Sequence, residues 1–203
     1  MTATVAVLDY GSGNVHSVLR MLTRVGAQVT LTADPDVVRR ADGLYVPGVG
    51  NFHACMRGLL EVGGDALIRQ RLADTAPVLG VCVGHQILFD GSTEPAGEPL
   101  PGLGVVNGLV SRLQAPVVPH MGWSLVTDAA ELPMFDGIAD QRFYFVHSYA
   151  ATDSSAAQIA HAEHGQPFVA ALQDGALWGT QFHPEKSGDA GAALLRNWIQ
   201  SFN

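Results

Sequence analysis

The sequence predicts an α/β fold: a central, mostly parallel sheet flanked by helices, with an antiparallel extension. Three observations predict it. Up to Phe89, short apolar runs alternate with segments whose apolar residues recur at helical spacing, the pattern of parallel strands joined by helical crossovers. The run Pro77-Val78-Leu79-Gly80-Val81 is apolar without alternation, as in a strand covered on both faces. Between residues 104 and 171, strand-like segments follow one another with turns rather than long helices between them, as in antiparallel sheet.

Taken in order, residues 5–8 form the first strand, which meets the turn-rich Asp9-Tyr10-Gly11-Ser12-Gly13-Asn14. Val15, Val18, Leu19 and Leu22 then mark one face of a helix. Residues 28–31 are a second strand. Residues 43–46 are a third, stopped by Pro47-Gly48-Val49-Gly50. Phe52, Cys55, Met56, Leu59 and Leu60 fall at i, i+3, i+4, i+7 and i+8, an amphipathic helix. The fourth strand is 77–81. The antiparallel candidates are 104–113, 142–150, 158–162 and 168–172, followed by a strand at 176–182 and a closing helix at 190–202. No composition shift marks a linker and no segment repeats, so residues 1–203 read as a single domain.

Composition narrows the function. With 47% apolar and 15% charged residues, the chain is neither disordered nor a coiled coil. No apolar run approaches the roughly 20 residues that cross a bilayer. Met1-Thr2-Ala3-Thr4-Val5 lacks the basic region of a secretory signal. A net charge of −8 opposes a nucleic-acid partner, which calls for a basic face. Two cysteines, Cys55 and Cys82, make no disulfide framework. These features fit a cytoplasmic enzyme of small metabolites with reduced thiols.

Gly80-Val81-Cys82-Val83-Gly84 lies where an apolar strand runs into a helix, the cysteine counterpart of the G-x-S-x-G elbow. A sharp turn there lifts the nucleophile above the sheet, and the glycines admit close backbone approach. A helix beginning at Cys82 favours its thiolate, and the Val83 N–H points at an oxyanion formed on a substrate bound to sulfur. Cys55, on an apolar helical face, reads as a core residue.

A thiol nucleophile needs a base, and the base an orienting group. His183 follows the end of a strand and precedes Pro184, which holds it extended. Positions i and i+2 of an extended chain share a side, so Glu185 can hold one ring nitrogen while the other faces a thiol. Cys82 and His183 then meet at the C-terminal rim of the sheet, where open α/β sheets bind ligands. Neither His183 nor His85 has the spacing of a metal ligand, so no metal is expected.

Gly80-Val81-Cys82-Val83-Gly84-His85-Gln86, together with Gln181-Phe182-His183-Pro184-Glu185-Lys186-Ser187, resembles the paired signature of class I, triad-type glutamine amidotransferases. The resemblance runs from Tyr10 to the last helix. Asp9-Tyr10-Gly11-Ser12-Gly13-Asn14, Pro47-Gly48-Val49-Gly50, Pro119-His120-Met121-Gly122-Trp123 and Tyr144-Phe145-Val146-His147-Ser148-Tyr149 resemble one subfamily, the glutaminase subunits of imidazole glycerol phosphate synthases. The resemblance implies the class I amidotransferase (flavodoxin-like) fold, glutamine as substrate and no cofactor. Cys82 attacks the side-chain amide, His183 shuttles the proton and Glu185 orients it. Val49, Gly50 and Val83 supply the oxyanion hole. Gln86 and Glu94, with the backbone of Ser148 and Tyr149, hold the substrate. Asn14, Trp123 and Lys186 face a (β/α)8-barrel synthase subunit, which receives the ammonia in a heterodimer. The sequence departs from the family at His85, where methionine is common, and at Ser92-Thr93-Glu94, where Ser-Glu-Glu is usual. A glutaminase subunit of another synthase, a γ-glutamyl peptidase of the same fold and a non-catalytic regulatory subunit remain open on the sequence.

Overall fold

A computed structural model describes residues 2–13 and 15–202. Asn14, expected at the partner face, lies outside the described residues. β1 (Thr4–Leu8) pairs in parallel with β2 (Gln28–Thr32) on one side and β3 (Gly43–Val46) on the other. Helices α1 (Val15–Arg24) and α2 (Pro35–Arg40) make the crossovers. α2, unexpected from the sequence, starts where the Asp34 carboxylate accepts from the amides of Asp36 and Val37 and Pro35 presets the first turn. α3 (Phe52–Glu61), capped by the Asn51 side chain, and α4 (Gly64–Ala73) lead to β4 (Val78–Val81) and the single-turn α5 (Val83–Gln86). Then come β5 (Gly91–Ser92), β6 (Leu109–Arg112), β7 (His120–Leu125), β8 (Arg142–His147) and β9 (Tyr149–Ala151). β10 (Gln158–Glu163), β11 (Pro167–Asp174), β12 (Leu177–Thr180) and α6 (Gly188–Gln200) complete the chain.

Among the described residues, the main sheet has seven strands in the order β10-β11-β12-β4-β3-β1-β2. β12 returns parallel to β4, while β11 and β10 run antiparallel at the edge. The expected antiparallel extension is therefore real but smaller than the sequence implied. The 104–113 segment is strand only over 109–112, because Gly104 and Gly108 turn the backbone to positive φ. The 142–150 segment breaks at Ser148. Its two parts belong to separate small sheets, β7-β8 and β5-β6-β9.

Packing fixes the rim that carries the candidate site. β4 and β12 are buried throughout. Phe182, one residue before His183, stacks on Phe143 at 4.4 Å and meets Phe145 edge-on at 5.4 Å. Burying each such ring contributes roughly 1.5–3 kcal/mol, so the segment leading into His183 is held by packing as well as by the ladder. On the opposite end of the sheet, the buried Arg71 guanidinium donates to the carbonyls of Val38, Ala41, Asp42 and Pro77, pinning the loops ahead of β3 and β4.

Candidate active site

Cys82 follows β4 with φ 57° and ψ −114°, a conformation that costs a non-glycine residue about 1–3 kcal/mol. The surroundings enforce it. A Cβ on Gly80 would lie 2.5 Å from the Gly84 carbonyl oxygen, and one on Gly84 2.1 Å from that of Val46, so both must be glycine. The sulfur opens into a cavity of about 230 Å³ lined by Val49, Gly50, Val83, Gln86, Glu94, Tyr149, His183 and Lys186 among others. Because α5 is one turn long, its dipole supports a thiolate less than the sequence implied.

The stronger influence is His183. β12 lies beside β4, and three residues past β12 the imidazole reaches the same rim. Its Nδ1 donates to Glu185 Oε1 at 2.7 Å, with both side chains almost wholly buried, which leaves Nε2 for the Cys82 sulfur. His183 is extended as expected, but Pro184–Lys186 forms a 3₁₀ turn, and that turn brings Glu185 beneath the ring. Burial by itself would depress the imidazole pKa. The charge and hydrogen bond of the Cys82 sulfur, followed by Glu185, reverse this and raise it to about 10. At neutral pH the His183 ring is thus held as imidazolium beside the Cys82 sulfur. The Ser187 hydroxyl steadies the loop, donating to the His183 carbonyl at 2.6 Å and accepting from the Tyr144 amide at 3.0 Å.

Two of the expected oxyanion donors are turned elsewhere. The Val49 N–H donates to Ser12 Oγ at 3.1 Å, and the Val83 N–H to the Gly48 carbonyl at 3.3 Å. Cys55, buried as expected, is more than core filling: its sulfur lies 3.0 Å from Ser12 Oγ and donates to the Val49 carbonyl at 3.3 Å. Gly50, at φ 85°, gives the neighbouring peptide room to turn.

Of the expected substrate contacts, Gln86, Glu94 and Tyr149 line the cavity, whereas Ser148 does not. One Glu94 carboxylate oxygen is already engaged, accepting from the Phe52 amide at 2.7 Å at the start of α3. The Gln86 amide donates to the Tyr149 carbonyl at 2.7 Å and to Gln181 Oε1 at 3.0 Å. Two buried residues at the site, Gln181 and His147, have no role that the sequence suggested. Gln181 sits within the signature segment, but no periodicity or spacing marks it. Trp123 is half exposed on β7, in a row with the exposed Met121 and Leu125, and Lys186 stands exposed at the cavity mouth. Among the described residues, no group of three or more His, Cys, Asp or Glu is placed to hold a metal.

His85 lies fully buried beneath the elbow, and among the described residues neither ring nitrogen has a well-aligned hydrogen bond, the Val169 backbone being the polar group that faces the ring. Burial depresses its pKa to about 3, and likewise that of His147 to about 3 and His120 to about 4. The unfolded chain protonates these rings near 6.5 while the folded one refuses the protons, so stability is lost as pH falls from about 6.5 toward 4. Urea unfolding between pH 7 and 4.5 should show this decline, and His85→Met should lessen its slope by about one proton. An unchanged slope in that variant would contradict the burial argument.

The glutamine amidotransferase class-I family model matches residues 6–201. The chain is 57% identical to the imidazole glycerol phosphate synthase subunit HisH of Mycolicibacterium paratuberculosis, over 97% of each chain. It is 54% identical to the protein of the same name from Corynebacterium glutamicum, over 98% of this chain and 99% of that one. Among solved structures, a glutamine amidotransferase aligns with a TM-score of 0.75 at 18% identity, covering 98% of both chains. A glutamine amidotransferase from Thermotoga maritima aligns with a TM-score of 0.61 at 14% identity, over all of this chain and 83% of that one. These two likenesses speak to the fold alone.

Proposed function

Since this chain belongs to the class-I glutamine amidotransferase family, we propose that it is the glutaminase subunit of an imidazole glycerol phosphate synthase, acting in histidine biosynthesis. The Cys82 thiolate attacks the side-chain carboxamide carbon of glutamine, and the carbonyl pair moves onto oxygen. His183 delivers its Nε2 proton to the amide nitrogen, which leaves as ammonia, and a γ-glutamyl thioester remains on sulfur. Neutral His183 then takes a proton from water, whose oxygen attacks the thioester and expels the thiolate, releasing glutamate. Glu185 keeps Nε2 facing the sulfur throughout. The observation that carries this reading is the buried 2.7 Å bond between His183 and Glu185 beside a cysteine on a strained elbow.

The released ammonia passes to a (β/α)8-barrel subunit that makes imidazole glycerol phosphate and aminoimidazole carboxamide ribotide. The exposed row Met121, Trp123 and Leu125, with Lys186 at the cavity mouth, suits such a partner and supports a heterodimer over a free-standing hydrolase. The whole chain acts as a single amidotransferase domain.

Rapid acid quench of the chain turning over glutamine, followed by peptide mass analysis, tests the chemistry. A γ-glutamyl adduct on the Cys82 peptide and none on the Cys55 peptide is expected. Glutamate production with no adduct on Cys82, under conditions where deacylation is slowed, would remove Cys82 as nucleophile.

A further inference from the structure

We propose that Gln181 is a catalytic residue whose side-chain amide donates a hydrogen bond to the Cys82 thiolate, holding the sulfur ionised and aimed into the cavity. The inference rests on the reading of Cys82 as nucleophile and adds a second donor to it. Gln181 is fully buried between β12 and the elbow, and its Nε2 lies 3.9 Å from Cys82 Sγ. Backbone bonds fix both neighbours: the Cys82 amide donates to the Thr180 carbonyl at 2.8 Å, and the Gln181 amide to that of Ala170 at 2.8 Å.

Chemistry decides which end of the Gln181 amide meets sulfur. The Tyr149 carbonyl can only accept, so the Gln86 atom 2.7 Å from it is the nitrogen. That nitrogen has a second N–H, and 3.0 Å away it meets Gln181. The Gln181 atom there is therefore the oxygen, which turns the Gln181 NH₂ toward Cys82. His147 reinforces the reference point. Its Nδ1 donates to the same Tyr149 carbonyl at 3.0 Å, so its Nε2 is an acceptor for His120 Nδ1 at 3.1 Å. His120 Nε2 in turn accepts from the Ser124 hydroxyl at 2.9 Å. Burial keeps both rings neutral, so this donor order holds at neutral pH.

A buried N–H with no partner is costly, and an anionic sulfur is a far better acceptor than a neutral thiol. Ionisation of Cys82 thus satisfies Gln181 on one side and His183 on the other. The same chain of donors turns Gln86 Oε1 away from Tyr149 and Gln181, where it can accept from a substrate N–H.

The test is the pH dependence of iodoacetamide alkylation of the full chain, read by peptide mass spectrometry so that Cys82 is separated from Cys55. In Gln181→Met, of similar shape but without the donor, the Cys82 midpoint should rise by about one pH unit, a tenfold loss of thiolate below it. Gln181→Glu, which replaces the donor by an acceptor, should raise it further. In the wild-type chain, where folding is not in question, the Gln181 side-chain amide proton resonances should move through the same midpoint as Cys82 alkylation. An unshifted midpoint in folded Gln181→Met, or amide resonances indifferent to that titration, would overturn the proposal while leaving Cys82 as nucleophile. A wild-type Cys82 that alkylates like an ordinary thiol would sink the nucleophile reading and this inference together.

Discussion

Cys82→Ala is expected to lower the rate of glutamate release by at least about 10⁴-fold while leaving the fold intact, since a nucleophile in a concerted constellation is not replaced by its neighbours. Alanine suits the test. It adds no strain at φ 57° beyond what cysteine already bears and removes one nearly buried atom from the wall of an open cavity. The other thiol cannot substitute. Burial pushes the Cys55 pKa up despite its Ser12 hydrogen bond, and its sulfur is committed to Ser12 and Val49. Steady-state glutamate assays with circular dichroism on the same samples check both halves. Activity within tenfold of wild type from a folded Cys82→Ala chain would mean that another group performs the attack.

Much of this was legible in the sequence because it depends on local rules. The elbow glycines, the apolar fourth strand and the proline after His183 each impose a backbone geometry that neighbours in sequence largely determine. They put Cys82 and His183 on one rim as expected, with Glu185 joined to His183. The small sheets were harder, because residues 120–125 alternate between exposed positions and buried or half-buried ones, with apolar side chains on the exposed side. A strand whose outer face is apolar does not show the usual alternation, and the reason lies in what that face meets rather than in the strand. Gln181 was illegible for another reason. Its role depends on which end of an amide faces sulfur, and that is fixed by Tyr149, 32 residues away in sequence and carried on β9. The same holds for the Val49 amide, whose orientation is set by the Ser12 side chain from a different loop.

That orientation produces the second large effect. With the Val49 N–H on Ser12 and the Val83 N–H on Gly48, two of the three backbone donors expected for the negative oxygen of a tetrahedral intermediate at Cys82 are committed elsewhere. A missing oxyanion donor costs about 10²–10³ in rate. The isolated chain should therefore be a slow glutaminase. A barrel subunit with its nucleotide ligand bound, docking over the cavity whose lining includes Lys186 and the half-exposed Val49, should turn the Val49 peptide and raise turnover by about that factor. Ser12→Ala, which releases the Val49 N–H, should raise the partner-free rate toward the stimulated one. Such gating would confine glutamine hydrolysis to the assembled, liganded synthase.

Glutamate release from glutamine by the purified wild-type chain, alone and with the nucleotide-bound (β/α)8-barrel partner, decides whether this chain serves that synthase. Slow release alone and strong stimulation by the liganded barrel are expected. Equal rates with and without it would refute the assignment, even with the Cys82 chemistry intact.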